Sequence, residues 1–350
     1  MSRHLVAIAG ATGAAAARLT ELLAADPAFR VVGLCRNPPA RGPEGVRYIA
    51  TDFLSGDSCR AALAAAGPVS HLVYAARAPF GEGGVEDVAG NLAMLRHLLD
   101  AAETPALRHV HLLEGGKWYG LHIGPYATPS REDDARHMPP DFYYDQQDLL
   151  STRRVGKDWR WSASRPQYLV DFAPGRARNL VTVIGALAAL CRETGTPFDF
   201  PGSPAAFAAL SEITDCSLLA RFIRFAITAP EAADQAFNIT NGDTFRWQRL
   251  WPKLAAYFGL PMGVVRPMKL ERWMADKAPM WRAIAARHDL VLPEIAEVAL
   301  WPYGDFVWSI GWDVVSSLGR ARAAGWTEYA DTEAQMLRHL DAYRAARVLP

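Results

Sequence analysis

Two stretches of this 350-residue chain hold side chains suited to chemistry at a polar bond. "DFYYDQQDLL", residues 141–150, carries the aromatic pair Tyr143 and Tyr144, and "LLEGGKWYG", residues 112–120, places Lys117 directly after two glycines. A phenol held near an ammonium is a donor for an oxygen on which negative charge develops, because the cation favours the more acidic phenol. On a single helix the two groups would stand four residues apart. Here Gln147 lies four residues after Tyr143 and Asp148 four after Tyr144, and no tyrosine of the chain has a lysine at that spacing. Either the chemistry is absent or the lysine arrives from a different element.

The elements that would position such a pair are legible. "HLVAIAG" (4–10) is a compact apolar run ending in glycine, "AAAARLTELLAAD" (14–26) reads as a helix and "FRVVGLCR" (29–36) as a second strand. Further strands are expected at 46–52, 69–76, 107–116 and 159–166, with helices at 58–67, 88–103 and from Phe142. Strands alternating with helices predict an α/β fold of the Rossmann type, a doubly wound parallel sheet covered on both faces. After Pro166 the regularity falls. Residues 1–166 are expected to form the nucleotide-binding domain, with some segments returning from the second half, and 167–350 mainly a smaller substrate-binding lobe with an aromatic core.

Between the first strand and first helix, Gly10, Gly13 and Ala16 form G-x-x-G-x-x-A. Gly10 supplies a tight turn, Gly13 admits a pyrophosphate to the backbone, and the helix start offers free N–H groups. The second strand ends in "GLCRNPP" with no acid for a ribose 2′-hydroxyl, whereas the guanidinium of Arg36 suits a 2′-phosphate. NADPH/NADP+ is therefore the expected cofactor. Asp52, after the third strand, is placed either on the adenine edge or as a turn acid. Lys117 falls at the C-terminal edge of the sheet, where ligands of open α/β sheets bind, so it can face the same pocket as Tyr143.

Composition narrows the rest. Lys plus Arg and Asp plus Glu each number 37, giving zero net charge, so no electrostatic footprint for nucleic acid exists. The apolar run 179–191 is too short for a membrane span, and Met1–Gly10 reads as a strand and not a signal peptide. Cys35, Cys59, Cys191 and Cys216 show no paired spacing, which argues against a metal site and for a reducing cytoplasm. His109 and His111 are expected on opposite faces of their strand, and Ser130, Glu132, Asp133 and Asp134 in solvent.

The ordered motifs resemble the progesterone 5β-reductase and iridoid synthase family, atypical short-chain dehydrogenases/reductases that reduce activated carbon–carbon double bonds with NADPH. "GATGAAA" is similar to its nucleotide turn, "GLCRNP" to its arginine turn, "EGGKWYG" to its T-G-x-K-H-Y and "DFYYDQQD" to its N-F-Y-Y-x-x-E-D motif; "SASRP", "ITDCSLLA", "AFNITNGDTFRWQRLW" and "LWPYGDF" follow in family order. The resemblance implies Lys117 and Tyr143 as the catalytic pair and Tyr144 in packing. It implies a cofactor site at Gly10, Thr12, Gly13, Ala14, Arg36, Asp52 and Ala75 together with Lys117, Tyr143, Pro166 and Leu169. Arg77, Trp118 and Tyr303 are the expected pocket residues, and a small apolar enone or enal the expected substrate, with a homodimer by analogy. Two departures stand out: Glu114-Gly115 replaces Thr-Gly before the lysine, and "YAARAPF" replaces a tryptophan-bearing segment. A carbonyl reductase or sugar-nucleotide epimerase of the same extended class, or a non-catalytic NADPH sensor, are the alternatives.

Overall fold

Burial along the strands sets the architecture. The computed structural model describes residues 3–81 and 85–350. In β1 (His4–Ala9), Leu5, Ala7 and Ala9 join one apolar cluster while Val6 and Ile8 join another, so both faces are covered. The same holds for β2 (Phe29–Cys35), β4 (His71–Tyr74) and β5 (His109–Leu113), separated by the short β3 (Arg47–Ala50). With β6 (Arg160–Pro166) and β7 (Gln235–Ile239) they build a seven-stranded sheet in the order β7-β6-β5-β4-β1-β2-β3. Every pairing is parallel.

Helices α2 (Gly56–Ala66), α3 (Val88–Ala102) and α4 (Phe142–Arg154) follow in chain order on one side of the sheet. Helix α1 (Ala14–Ala24) packs on the other side, with α6 (Cys216–Ala226) of the second half. The strand order reverses between β1 and β4, and a ligand crevice opens at the C-terminal ends of strands there. The strand and helix returning as β7 and α6 carry the sheet and its packing past residue 166.

The remaining segments pack around α5 (Leu180–Thr194), whose first eleven residues are all buried. The aromatic tail forms much of this second core: Trp301, Tyr303 and Trp308 are buried, and Phe198 stacks on Trp251 at 4.4 Å. Among the described residues no helix is long and apolar enough to cross a membrane.

Two expectations are corrected. His109 and His111 share a face, since residues two apart in a strand point the same way. Both bond the Ser162 hydroxyl at 2.7 Å, and His111 also reaches Ser164 at 3.0 Å. Ser130 and Glu132 are not solvated: the Ser130 N–H donates to the Val315 carbonyl at 2.8 Å, and Glu132 accepts the Asn238 N–H at 2.8 Å. Tertiary partners on the returning β7 and the C-terminal segment bury polar residues that local composition assigns to solvent.

Burial holds the imidazoles of this ladder neutral, lowering His109 to about 3 and His71 to about 4. A histidine whose folded pKa lies below its unfolded value, about 6.5, binds fewer protons when folded; its stabilising contribution is lost as pH falls from the unfolded toward the folded value. Buried carboxyls with raised values act in the opposite sense, so a difference between variants is the clean measurement. In urea titrations between pH 6 and pH 4, His109→Gln should reduce the slope of unfolding free energy with pH by an amount approaching about 1.4 kcal/mol per pH unit. Equal slopes would show that His109 is not held neutral.

Candidate active site

The glycine turn between β1 and α1 closes against β4. Gly10 has φ +74, and a β-carbon there would lie 2.8 Å from the Ala75 carbonyl oxygen, so both conformation and space demand glycine. Its carbonyl accepts the Gly13 N–H at 2.8 Å, and Gly13 caps α1 with no side chain over the helix start and no acid in the first turn. This leaves the N-terminus of α1 open to an anion. Thr12 offers its carbonyl to the Arg176 guanidinium.

Lys117 sits on a single 3-10 turn, Gly116–Tyr119, just past β5. Tyr143 is the second residue of α4, its N–H held by the Asp141 cap at 2.8 Å. A β-carbon at Gly115 would stand 3.3 Å from the Tyr143 hydroxyl, so this glycine leaves the space that the phenol uses. Tyr144 points the other way, donating to the Trp118 carbonyl at 2.5 Å and receiving the His137 N–H at 2.8 Å. Lys117 Nζ pairs with Glu86 at 2.6 Å, and Arg77 reaches the same carboxylate oxygen at 3.2 Å. Burial pushes the Tyr143 phenol up; Arg77 pulls it down, while Asp141, Glu86 and Glu114 push it further up. Tyr143 therefore stays a neutral donor, and Arg77 is the cation that acts on it.

Behind this pair, Arg165 from the end of β6 is fully buried. It bonds Glu114 at 2.8 Å, the Tyr119 hydroxyl at 3.0 Å, the Glu132 carbonyl at 3.1 Å and Gln147 at 3.0 Å, and lies 3.5 Å over the Trp118 ring. Burial pushes the Glu114 carboxyl up to about 7, with Arg165 pulling the other way. The guanidinium stays charged, and its hydrogen bond draws the Glu114 carboxyl toward the ionised form against the cost of burial.

A cavity of about 530 Å³ opens where these elements meet the second lobe. Of the residues singled out in the sequence, it gathers Ala14, Arg77, Lys117, Tyr143, Pro166, Leu169 and Tyr303. Gly10, Thr12, Gly13 and Ala75 form the adjoining turn. Arg36 is exposed directly after β2, with Asn37, Pro38 and Pro39 next and no acid at the strand end. Asp52 is exposed after β3 and accepts the Leu54 N–H at 3.0 Å, which is turn geometry. Trp118 does not line the cavity: it is buried between Arg165 and Tyr144, in edge contact with the latter at 4.7 Å. Sequence reasoning missed Glu86, Tyr168, Asp171, Arg176 and Arg178, all of which line the cavity. Only the paired arginines of "PGRARN" gave any local signal.

Residues 63–350 match the family model of the PRISE-like Rossmann-fold domain. The chain belongs to this family. An (S)-8-oxocitronellyl enol synthase of Antirrhinum majus is 29% identical, over 98% of this chain and 92% of that protein. The short chain dehydrogenase gsfE of Penicillium aethiopicum is 28% identical, over 87% and 86%. Among solved structures, a short-chain dehydrogenase/reductase superfamily protein from Agrobacterium tumefaciens with bound NAD superposes with a TM-score of 0.70 at 16% identity, over 99% of this chain and 98% of that one. Family and fold make this protein an oxidoreductase of the short-chain dehydrogenase/reductase class.

Removing one member of a buried ion pair leaves an uncompensated charge, at a cost of about 3–5 kcal/mol. Glu114→Ala should lose about that much unfolding free energy in urea. Glu114→Met combined with Arg165→Met should lose less than Glu114→Ala alone, and the reverse order would show that Glu114 is not what compensates the Arg165 charge.

Proposed function

We propose that this protein is an NADPH-dependent ene-reductase acting on the conjugated C=C bond of a small enone or enal. The observation that carries the reading is the convergence of Lys117, from the turn after β5, and Tyr143, from the start of α4, on one cavity that also reaches Ala14 at the nucleotide turn. The chain's residues fit the cofactor. The Gly10 cradle has room for backbone approach only, the start of α1 is uncovered, and Arg36 follows β2 with no competing acid. Gly10, Thr12, Gly13, Ala14 and Ala75 would hold the pyrophosphate side, Arg36 the 2′-phosphate.

When bound, NADPH supplies the hydride that adds to the β-carbon of the acceptor. Negative charge then gathers on the acceptor's carbonyl oxygen, and the site must meet it with donors already in place. Tyr143 is such a donor, since burial keeps its phenol protonated. Arg77 lowers the phenol's pKa, and Lys117, tied to Arg77 through Glu86, lines the same cavity. The enolate takes its proton at carbon from water, so no dedicated acid is required. Lys117 therefore need not share a helix with Tyr143.

The test is NADPH oxidation followed by absorbance with 2-cyclohexen-1-one and a panel of enals, with product mass as identity. Tyr143→Phe and Lys117→Ala should each lower kcat on the order of a hundredfold, as loss of an oxyanion donor does. Turnover of saturated ketones with no saturation of conjugated acceptors would sink the reading. Arg36→Ala should weaken NADPH by about 1.5–3 kcal/mol while leaving NADH affinity where it was. Equal weakening of both would remove Arg36 from the 2′-phosphate.

A further inference from the structure

The charges facing the cavity do not balance locally. Its three carboxylates are engaged: Glu86 by Lys117 and Arg77, Glu114 by Arg165, and Asp171 by Arg18 at 2.8 Å. Two cavity arginines, Arg176 and Arg178, have no carboxylate partner among the described residues. Arg176 is turned toward the nucleotide side, where it donates to the Thr12 carbonyl. Arg178 lies 4.8 Å over the ring of Tyr303. Burial lowers the Arg77 guanidinium's pKa most, and Arg178 lies close enough to lower it further as a like charge, while Glu86 is already shared between Arg77 and Lys117.

The position of Arg178 is fixed by its neighbours. The Ala177 carbonyl receives the N–H groups of Asn179 and Leu300, each at 2.9 Å. Asn179 caps α5 and holds the Asp171 carbonyl at 2.6 Å and the Tyr343 hydroxyl at 2.9 Å. Tyr168 also lines the cavity and is only 9% exposed; its hydroxyl, near Tyr303, Tyr126 and Glu212, is buried with no hydrogen-bond partner among the described residues. A buried, unsatisfied hydroxyl is costly, and a ligand oxygen is a ready partner. A preset guanidinium, an aromatic face and an unmatched hydroxyl together suit a carboxylate.

We propose that Arg178, with Tyr168 and Tyr303, forms a carboxylate subsite, and that the substrate is an α,β-unsaturated carbonyl compound bearing an acid group in addition to its reacting carbonyl. This rests on the ene-reductase reading for the reacting end only; anion recognition is a binding property and is measurable without turnover.

The experiment is calorimetric titration of the full NADP+-loaded chain with 4-oxopentanoate and with its methyl ester. The acid should bind at least tenfold more tightly than the ester. Arg178→Met should bring the ratio to about one, and Arg178→Lys, which keeps the charge, should retain part of it. Equal binding of acid and ester by the unsubstituted chain would overturn the proposal. So would a loss of NADP+ affinity in Arg178→Met matching its loss of acid affinity, which would assign the arginine to the cofactor. A parallel assay with trans-4-oxopent-2-enoate and its methyl ester separates the two readings. Acid-selective binding with neither acceptor saturated would sink the ene-reductase reading and leave the subsite standing. Saturation of both at equal KM would do the reverse.

Discussion

The buried guanidinium of Arg165 is the constraint on which the site depends. One side chain ties the end of β5 through Glu114, the turn carrying Lys117 through Tyr119 and Trp118, the following loop through the Glu132 carbonyl, and α4 through Gln147. Gln147 occupies the helical position four residues after Tyr143, where a lysine would place an ammonium against a guanidinium. A neutral acceptor is what that position needs. Positive charge near Tyr143 then comes from other elements: Arg77 acts on the phenol, and Lys117, on the turn after β5, shares Glu86 with it. The separated pair is thus a consequence of how the strand ends are tied together, and Glu114 in place of threonine adds the anion that compensates Arg165.

The second lobe reaches the site through one well-anchored loop. Residues 171–179 are held to α1 by the Arg18–Asp171 pair, to the nucleotide turn by Arg176, and to the lobe's own core by Asn179 and Tyr343. A burial cost falls on Asp171, whose carboxyl is pushed up to about 6 with Arg18 pulling it back. What the lobe delivers to the cavity is therefore fixed in register with the cofactor turn, as an active site needs if its groups are to be in place before reaction.

Much of this was legible in the sequence because it rests on local rules. Strands buried on both faces read as continuous apolar runs, and the glycine turn announces itself between the first strand and helix. Lys117 and Tyr143, singled out on element ends and by the family motifs, do line one cavity. What stayed hidden depends on distant partners. Trp118 looked like a pocket residue because it adjoins Lys117, yet Arg165, far along the chain, holds its ring in the core. Ser130 and Glu132 looked solvated until the C-terminal segment and β7 covered them. Glu86 and Arg178 sit in loops with no periodicity, and only the closed fold shows which cations are already neutralised. The histidine pair was misplaced for a simpler reason, a strand period of two applied with the wrong parity.

The Glu86 bridge has a further consequence for how the cavity responds to its medium. Lys117, Arg77 and Glu86 are a quarter, a third and a fifth exposed at their side chains. Such partly wetted pairs weaken as the Debye length shrinks from about 8 Å at physiological ionic strength to about 3 Å in molar salt. Dissolved electrolyte thereby regulates how firmly the two cations are tethered, while the Arg165–Glu114 pair behind them is shielded from it. Ionic strength becomes a means of loosening the front of the cavity without disturbing its foundation.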